Sequence, residues 1–291
     1  MLHWLPTWQQ ALGAAAVLAV AALLARRGPL SRGGLLSRHR RLGAALAAEA
    51  GVVLALYSLW QLAGTLAVGS TAAGLQRGED LWSLERTLHL PLETSLQAVL
   101  LPHPDAVRAM NAYYVYAHYN TLLLTLLWLF VRHRDRYPAA RATLALATFT
   151  GLALQLIAVA PPRLLGAHHI VDTALRYGQS VYGPVTATGI SDQYSAMPSM
   201  HVVWAALVAV LVWRSAPPRW RWLGPAHAVL TTLVVVATGN HYWLDAAAGA
   251  GVLALALVVV GWIERWWHRR RPQPGGEDEP GRRALLHMHA S

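Results

Sequence analysis

Seven apolar stretches, each nearly free of charge, decide what this chain can fold into: 12–25, 46–69, 110–131, 142–160, 198–213, 223–239 and 242–263. In hydrocarbon every backbone N–H and C=O must find its partner inside the protein, so such stretches are predicted to be helices. A bilayer core about 30 Å thick takes roughly 20 residues of straight helix. Of the six stretches after the first, 198–213 is the shortest, so it is expected to begin below the membrane surface. Only 13% of residues are charged and 55% are hydrophobic, against roughly a quarter charged in soluble domains. The predicted class is all-α: a polytopic membrane helix bundle of six core helices plus one N-terminal transmembrane helix.

Charge sets the expected orientation. The formal net charge is +10, and all 24 basic residues are Arg. Nineteen of them fall in the segments 26–41, 132–141, 214–221 and 265–283, which alternation of seven spans places on one side. Excess Arg marks the cytoplasmic side, so the N-terminus is expected outside and the C-terminus inside. The Arg residues lie between apolar runs and not along one polar face, which argues against nucleic acid as a partner. The first apolar run is followed, not preceded, by Arg26 and Arg27, so it reads as a retained helix and not as a cleaved leader. Three regions follow: an N-terminal helix with its basic loop (1–41), a catalytic membrane domain (42–264) and a basic disordered tail (265–291). The Arg-only, Ala-rich composition points to a bacterial inner membrane. Cysteine is absent, which excludes disulfides, Cys-ligated zinc and a thiol nucleophile.

Three polar motifs interrupt this pattern at span ends: Pro161-Pro162-Arg163, Pro198-Ser199-Met200-His201, and Asn240-His241-Tyr242-Trp243-Leu244-Asp245. The deduced topology, which makes no use of them, puts all three on the outer side. His241 and Asp245 are spaced i, i+4 and share a helix face, so the carboxylate can orient the imidazole. Ser199 is placed to cap a helix whose free N–H groups suit an anion such as phosphate, and Arg163 can clamp the same group. A segment at 79–100, with Leu81, Leu84, Leu88 and Leu92 near helical spacing, is expected to be an amphipathic helix on the outer surface.

Together, Pro-Pro-Arg, Pro-Ser-x-His and His-x-x-x-Asp resemble the type-2 phosphatidic acid phosphatase superfamily, over about residues 45–264. The forms around Arg163 and His241 are most similar to its inositol phosphorylceramide synthase-like (inositolphosphotransferase) branch. The resemblance implies a phosphohistidine formed on His241, oriented by Asp245, with His201 as acid and then base. It implies phosphate binding by Arg163 and Ser199, and no metal or other cofactor. The substrate would be a membrane lipid phosphate ester, with a polyol or ceramide-like alcohol as acceptor. The chain departs from the broader phosphatase pattern: it has no Lys, Val235 stands six residues before His241, and Met200 stands where many relatives have Gly. Fewer basic residues favour the transferase-like branch.

Asn240, Tyr114, His118 and Arg176 are further candidates for lining the site. His168-His169 reads as a solvated loop and Glu49 as an interfacial charge. A second reading takes His118, His201 and His241 as haem or metal ligands, since imidazole is a common one. A third is a transporter or inactive scaffold, which would put polar residues at the midplane and not at span ends.

Overall fold

The structure, a computed structural model, describes residues 6–27, 35–66, 71–179 and 193–270. Of the disordered tail expected over 265–291, residues 265–270 instead continue the last helix, and the rest lies outside the described residues. The helices are α1 (Trp8–Arg27), α2 (Leu35–Leu66), α3 (Thr71–Thr87), α4 (Glu93–Leu100) and α5 (Pro104–Ala112), followed by a π-helical turn (Tyr113–Ala117) that runs into α6 (His118–Arg132). Then come α7 (Tyr137–Gln155), the short α8 (Thr173–Arg176), α9 (Met200–Ser215), α10 (Leu223–Ala237) and α11 (Trp243–Arg270). No β-strand forms among the described residues, apart from one isolated parallel bridge between Val159 and Ser195.

The seven predicted apolar stretches fall on α1, α2, the α5–α6 run, α7, α9, α10 and α11. Four helical segments are long and apolar enough to cross a bilayer: Trp8–Ala25, His39–Leu59, Pro104–Arg132 and Trp243–Arg270; α9 and α10 are shorter apolar helices. The chain is therefore an all-α integral membrane protein. The fourth stretch ends as a helix earlier than expected, at Gln155, because residues 158–160 pair instead with 194–196. Val159 N–H donates to Tyr194 O (2.6 Å) and Ala196 N–H to Val159 O (3.2 Å).

Helix α9 is the centre of the bundle, packing against α6, α7, α10 and α11. Its buried residues, including Val202, Val203, Ala205, Leu207, Val208 and Leu211, occupy most of its circumference, as a helix apolar all round requires. The α1–α2 hairpin joins this bundle through Glu49, which accepts from Tyr137 Oη (2.7 Å) and from Arg141 on α7. Glu49 thus links α2 to α7.

The expected 79–100 helix is two helices. The chain breaks at 88–92, where His89 takes a left-handed φ of 56° and Pro91 follows. Leu84, Leu88 and Leu92 stay exposed, and the face of α3 that packs inward is Gly74, Gly78, Trp82 and Glu85. Two glycines let α3 approach Tyr194 and the Ala160 carbonyl closely, which a face of leucines cannot do.

Two further glycines bring the motif-bearing ends together. Gly239 (φ +73°) ends α10 in a Schellman turn, with Asn240 N–H on Val235 O and Gly239 N–H on Val236 O. Its carbonyl then receives Arg163 N–H (2.9 Å), docking the Pro-Pro-Arg turn beside Asn240. Gly249 faces the start of α9 so closely that a Cβ there would lie 2.7 Å from Ser199 O. Gly249→Ala should force α11 away from α9 and lower the unfolding free energy by about 1–3 kcal/mol. Chemical unfolding in detergent checks this, and wild-type stability would mean the two helix starts are not in contact.

Candidate active site

The start of α11 carries the centre of the site. Asp245, fully buried, reaches back so that its Oδ2 accepts Tyr242 N–H (2.9 Å) and lies 3.3 Å from His241 Nδ1. A second acceptor is closer: Ala196 O is 2.8 Å from the same Nδ1. Both neighbours of Nδ1 are acceptors, so the neutral ring must carry its proton there. Nε2 is then left with its lone pair. The Val159–Ser195 bridge is what holds Ala196 in position, so the tautomer of His241 depends on a loop pairing as well as on Asp245.

His201, in the first turn of α9, places its ring 5.5 Å from that of His241. Tyr114 stacks on the other side of His201 (centroids 4.2 Å apart, planes 21° apart) and His118 lies 4.1 Å away. His118 follows directly on the π-helical turn, a distortion often found at functional sites. Trp204 stacks against His118 at 6.0 Å and is anchored through its Nε1–H to Thr148 Oγ1 (3.1 Å). The three histidine rings pack against one another, and among the described residues no three of His, Cys, Asp or Glu are placed to hold one metal ion.

Arg163, its side chain 5% exposed, donates Nε–H to Asn240 Oδ1 (3.0 Å) and forms an ion pair with Asp172 (3.1 Å). Asn240 is held in turn by donating to Thr238 Oγ1 (2.9 Å). Asp172 also caps α8 by accepting Leu175 N–H (2.9 Å). Ser199 caps α9, its Oγ accepting Val202 N–H at 3.4 Å, and its own N–H donates to Asp245 O (3.1 Å). Arg176 stands apart, exposed on α8 with its guanidinium 5.9 Å from the Tyr177 ring. His168 is not in a free loop: it stacks on Trp82 (4.2 Å) and bonds Glu79 (2.6 Å).

Several contributors were not legible in the sequence. The Ala196 carbonyl has no side-chain signature at all. Asp172 lies outside the three motifs, although an Asp immediately before Thr173 is a usable helix-start signal. Glu85 and Glu93, both buried, sit on α3 and α4 beside the start of α11, where Glu85 Oε1 accepts Leu244 N–H (2.7 Å). Nothing about the spacing of two glutamates predicts that they meet a helix more than a hundred residues away.

The ends of α7 and α10 and the starts of α9 and α11 thus converge on one end of the bundle, as the three motifs implied. No curated protein and no solved structure is significantly similar to the chain. The sequence model of the PAP2 superfamily matches residues 79–259, a span that runs from α3 into α11 and contains each of the three motifs. With that match spanning most of the chain, the protein belongs to the PAP2 superfamily, and membership supports a phosphatase-type function on lipids.

Proposed function

We propose that the protein transfers the phosphoryl group of a membrane lipid phosphate ester through a phosphohistidine on His241, with no metal required. The observation that carries this reading is the pair of acceptors on His241 Nδ1, which directs the Nε2 lone pair to the nucleophilic role. Nε2 attacks phosphorus in line with the leaving oxygen. The P–O bond breaks as His201, in its protonated form, gives its proton to the departing alkoxide. The imidazole of the phosphohistidine is cationic, and Asp245 stabilises that charge. Neutral His201 then takes the proton of an incoming hydroxyl, whose oxygen displaces His241 and restores the starting state.

Arg163 is the cation for the phosphate oxygens. Asn240 and Asp172 hold its guanidinium by one edge each and fix its plane. Ser199 Oγ accepts a helix N–H, so its own O–H is available to donate to phosphate, alongside the free amides of the α9 start. Arg163 is the one guanidinium that the three motifs bring to the phosphate. This supports the inositol phosphorylceramide synthase-like branch, in which a polyol or ceramide-like hydroxyl competes with water. The Arg distribution supports an N-terminus outside the cell, a cytoplasmic C-terminus and a site on the extracytoplasmic face of a bacterial inner membrane.

Purified protein incubated with a phosphorus-labelled lipid panel and quenched in alkali should retain acid-labile label on the chain. His241→Ala should abolish that label and lower turnover at least about 1000-fold. Label that survives in His241→Ala overturns the mechanism. Including inositol, glycerol and ceramide in parallel separates the outcomes: free phosphate alone means hydrolysis, and an acceptor-dependent lipid means transfer.

Asp245→Asn should be milder than loss of the orienting acid in a Ser-His-Asp triad, where about 10⁴-fold is lost to the wrong tautomer. Here Ala196 O still accepts from Nδ1, so the expected loss in kcat is on the order of 100-fold, from the missing charge alone. A loss as large as that of the triad variant would mean that Asp245, and not the carbonyl, selects the tautomer.

A further inference from the structure

Outside the three motifs, the described residues hold one more pair of buried carboxyl groups in direct connection with the site. Glu85 is 0% and Glu93 1% exposed. Both accept from the same Arg86 nitrogen, at 3.5 Å and 3.1 Å, so the two carboxyls stand side by side. Glu85 Oε1 also accepts Leu244 N–H, one of the amides that the first turn of α11 leaves without a helical partner. The start of α11 is therefore satisfied from two directions: Asp245 takes the Tyr242 amide from within the helix and Glu85 takes the Leu244 amide from α3. Tyr242, between them, is fully buried and donates its hydroxyl to Ala160 O (2.9 Å).

Two ionised carboxylates beside one guanidinium would leave a net negative charge buried next to Asp245. One proton on the pair removes it, since a single carboxylate is balanced by Arg86. Resting on the phosphohistidine reading above, we infer that Glu85 is a positioning residue that shares a proton with Glu93, fixing the first turn of α11 and keeping a second negative charge away from the phosphate site. Neutral Glu85 still accepts the Leu244 amide through its carbonyl oxygen, so capping survives while the field at His241 stays favourable to an anion. Ionisation of Glu85 places a charge beside Asp245 that repels the incoming phosphate.

Burial, then the Glu93 carboxyl beside it, pushes the Glu85 carboxyl up to about 8. The groups that face it are Arg86 on its own helix, Glu93 on α4, and Asp245 and Tyr242 at the start of α11. The folded protein keeps this proton to about pH 8, while the unfolded carboxyl releases it near 4.5, so folding stability falls as pH rises across that window.

The test compares wild type with Glu85→Gln, which copies the protonated carboxyl, and Glu85→Ala, which removes the cap. Wild-type kcat/KM should fall as pH rises through about 8. Glu85→Gln should keep the neutral-pH rate within about threefold and lose that alkaline limb, because its amide oxygen still accepts and its NH₂ donates to Glu93. Glu85→Ala should lower kcat on the order of 100-fold through misplacement of the α11 start. Two readouts need no turnover: one protonated-carboxyl band in the infrared spectrum at neutral pH should vanish in Glu85→Gln, and the fall of stability with pH should flatten. They stand even if no substrate is turned over, so failure of the phosphohistidine reading is separable. An unchanged infrared spectrum, an alkaline limb retained in Glu85→Gln, or Glu85→Gln as impaired as Glu85→Ala overturns the inference.

Discussion

A helix that starts inside a protein leaves its first amides without helical partners, and in a bundle shielded from water each must be satisfied by something specific. The site of this protein is assembled around that requirement. At the start of α11 the partners are Asp245 and Glu85; at the start of α9 they are Ser199 Oγ and the Asp245 carbonyl. The same side chains that complete the backbone bonding therefore set the geometry of His241 and His201. Stability and chemistry share atoms here, which is why close approach at Gly249 and the turn at Gly239 bear on both.

The electrostatics follow the same economy. Asp245 places one negative charge where a phosphohistidine cation would form, and Arg163 places one positive charge where phosphate oxygens would lie. Each is restrained by hydrogen bonds that leave it little rotational freedom: Asp245 by Tyr242 N–H, Arg163 by Asn240 and Asp172. In a low-dielectric setting such fixed charges act strongly on a bound anion. The buried Glu85–Glu93–Arg86 group adds a second layer whose net charge depends on one proton.

The i, i+4 spacing of His241 and Asp245 suggested one helix face; His241 in fact precedes α11, and Asp245 meets it by reaching back from the first turn. The helix start at Ser199 was equally readable, since Pro-Ser before an apolar run is a local signal that needs no distant partner. The break in the 79–100 segment was harder. Its leucines have helical spacing and so suggested one amphipathic face, but the packed face is the Gly74–Gly78–Trp82–Glu85 row, selected by how closely α3 must approach Tyr194 and Tyr242. Periodicity reports which residues avoid water and is silent about which surfaces must touch.

By itself the sequence determined that the chain is helical and lies in a membrane, because long uncharged runs leave the backbone no other way to satisfy its polar groups. It also singled out three motifs as candidates for the chemistry, because His, Asp, Arg and Ser at the ends of apolar spans are costly to place there. Only the tertiary structure decided that Ala196 shares His241 with Asp245, that Tyr114 and His118 enclose His201, that Asp172 braces Arg163, and that two glutamates from α3 and α4 attend the start of α11. Apart from Asp172, nine residues from Arg163, these are contacts between segments far apart in the chain. A backbone carbonyl has no identity in the sequence, and a carboxylate acquires its partner only when packing brings another helix to it.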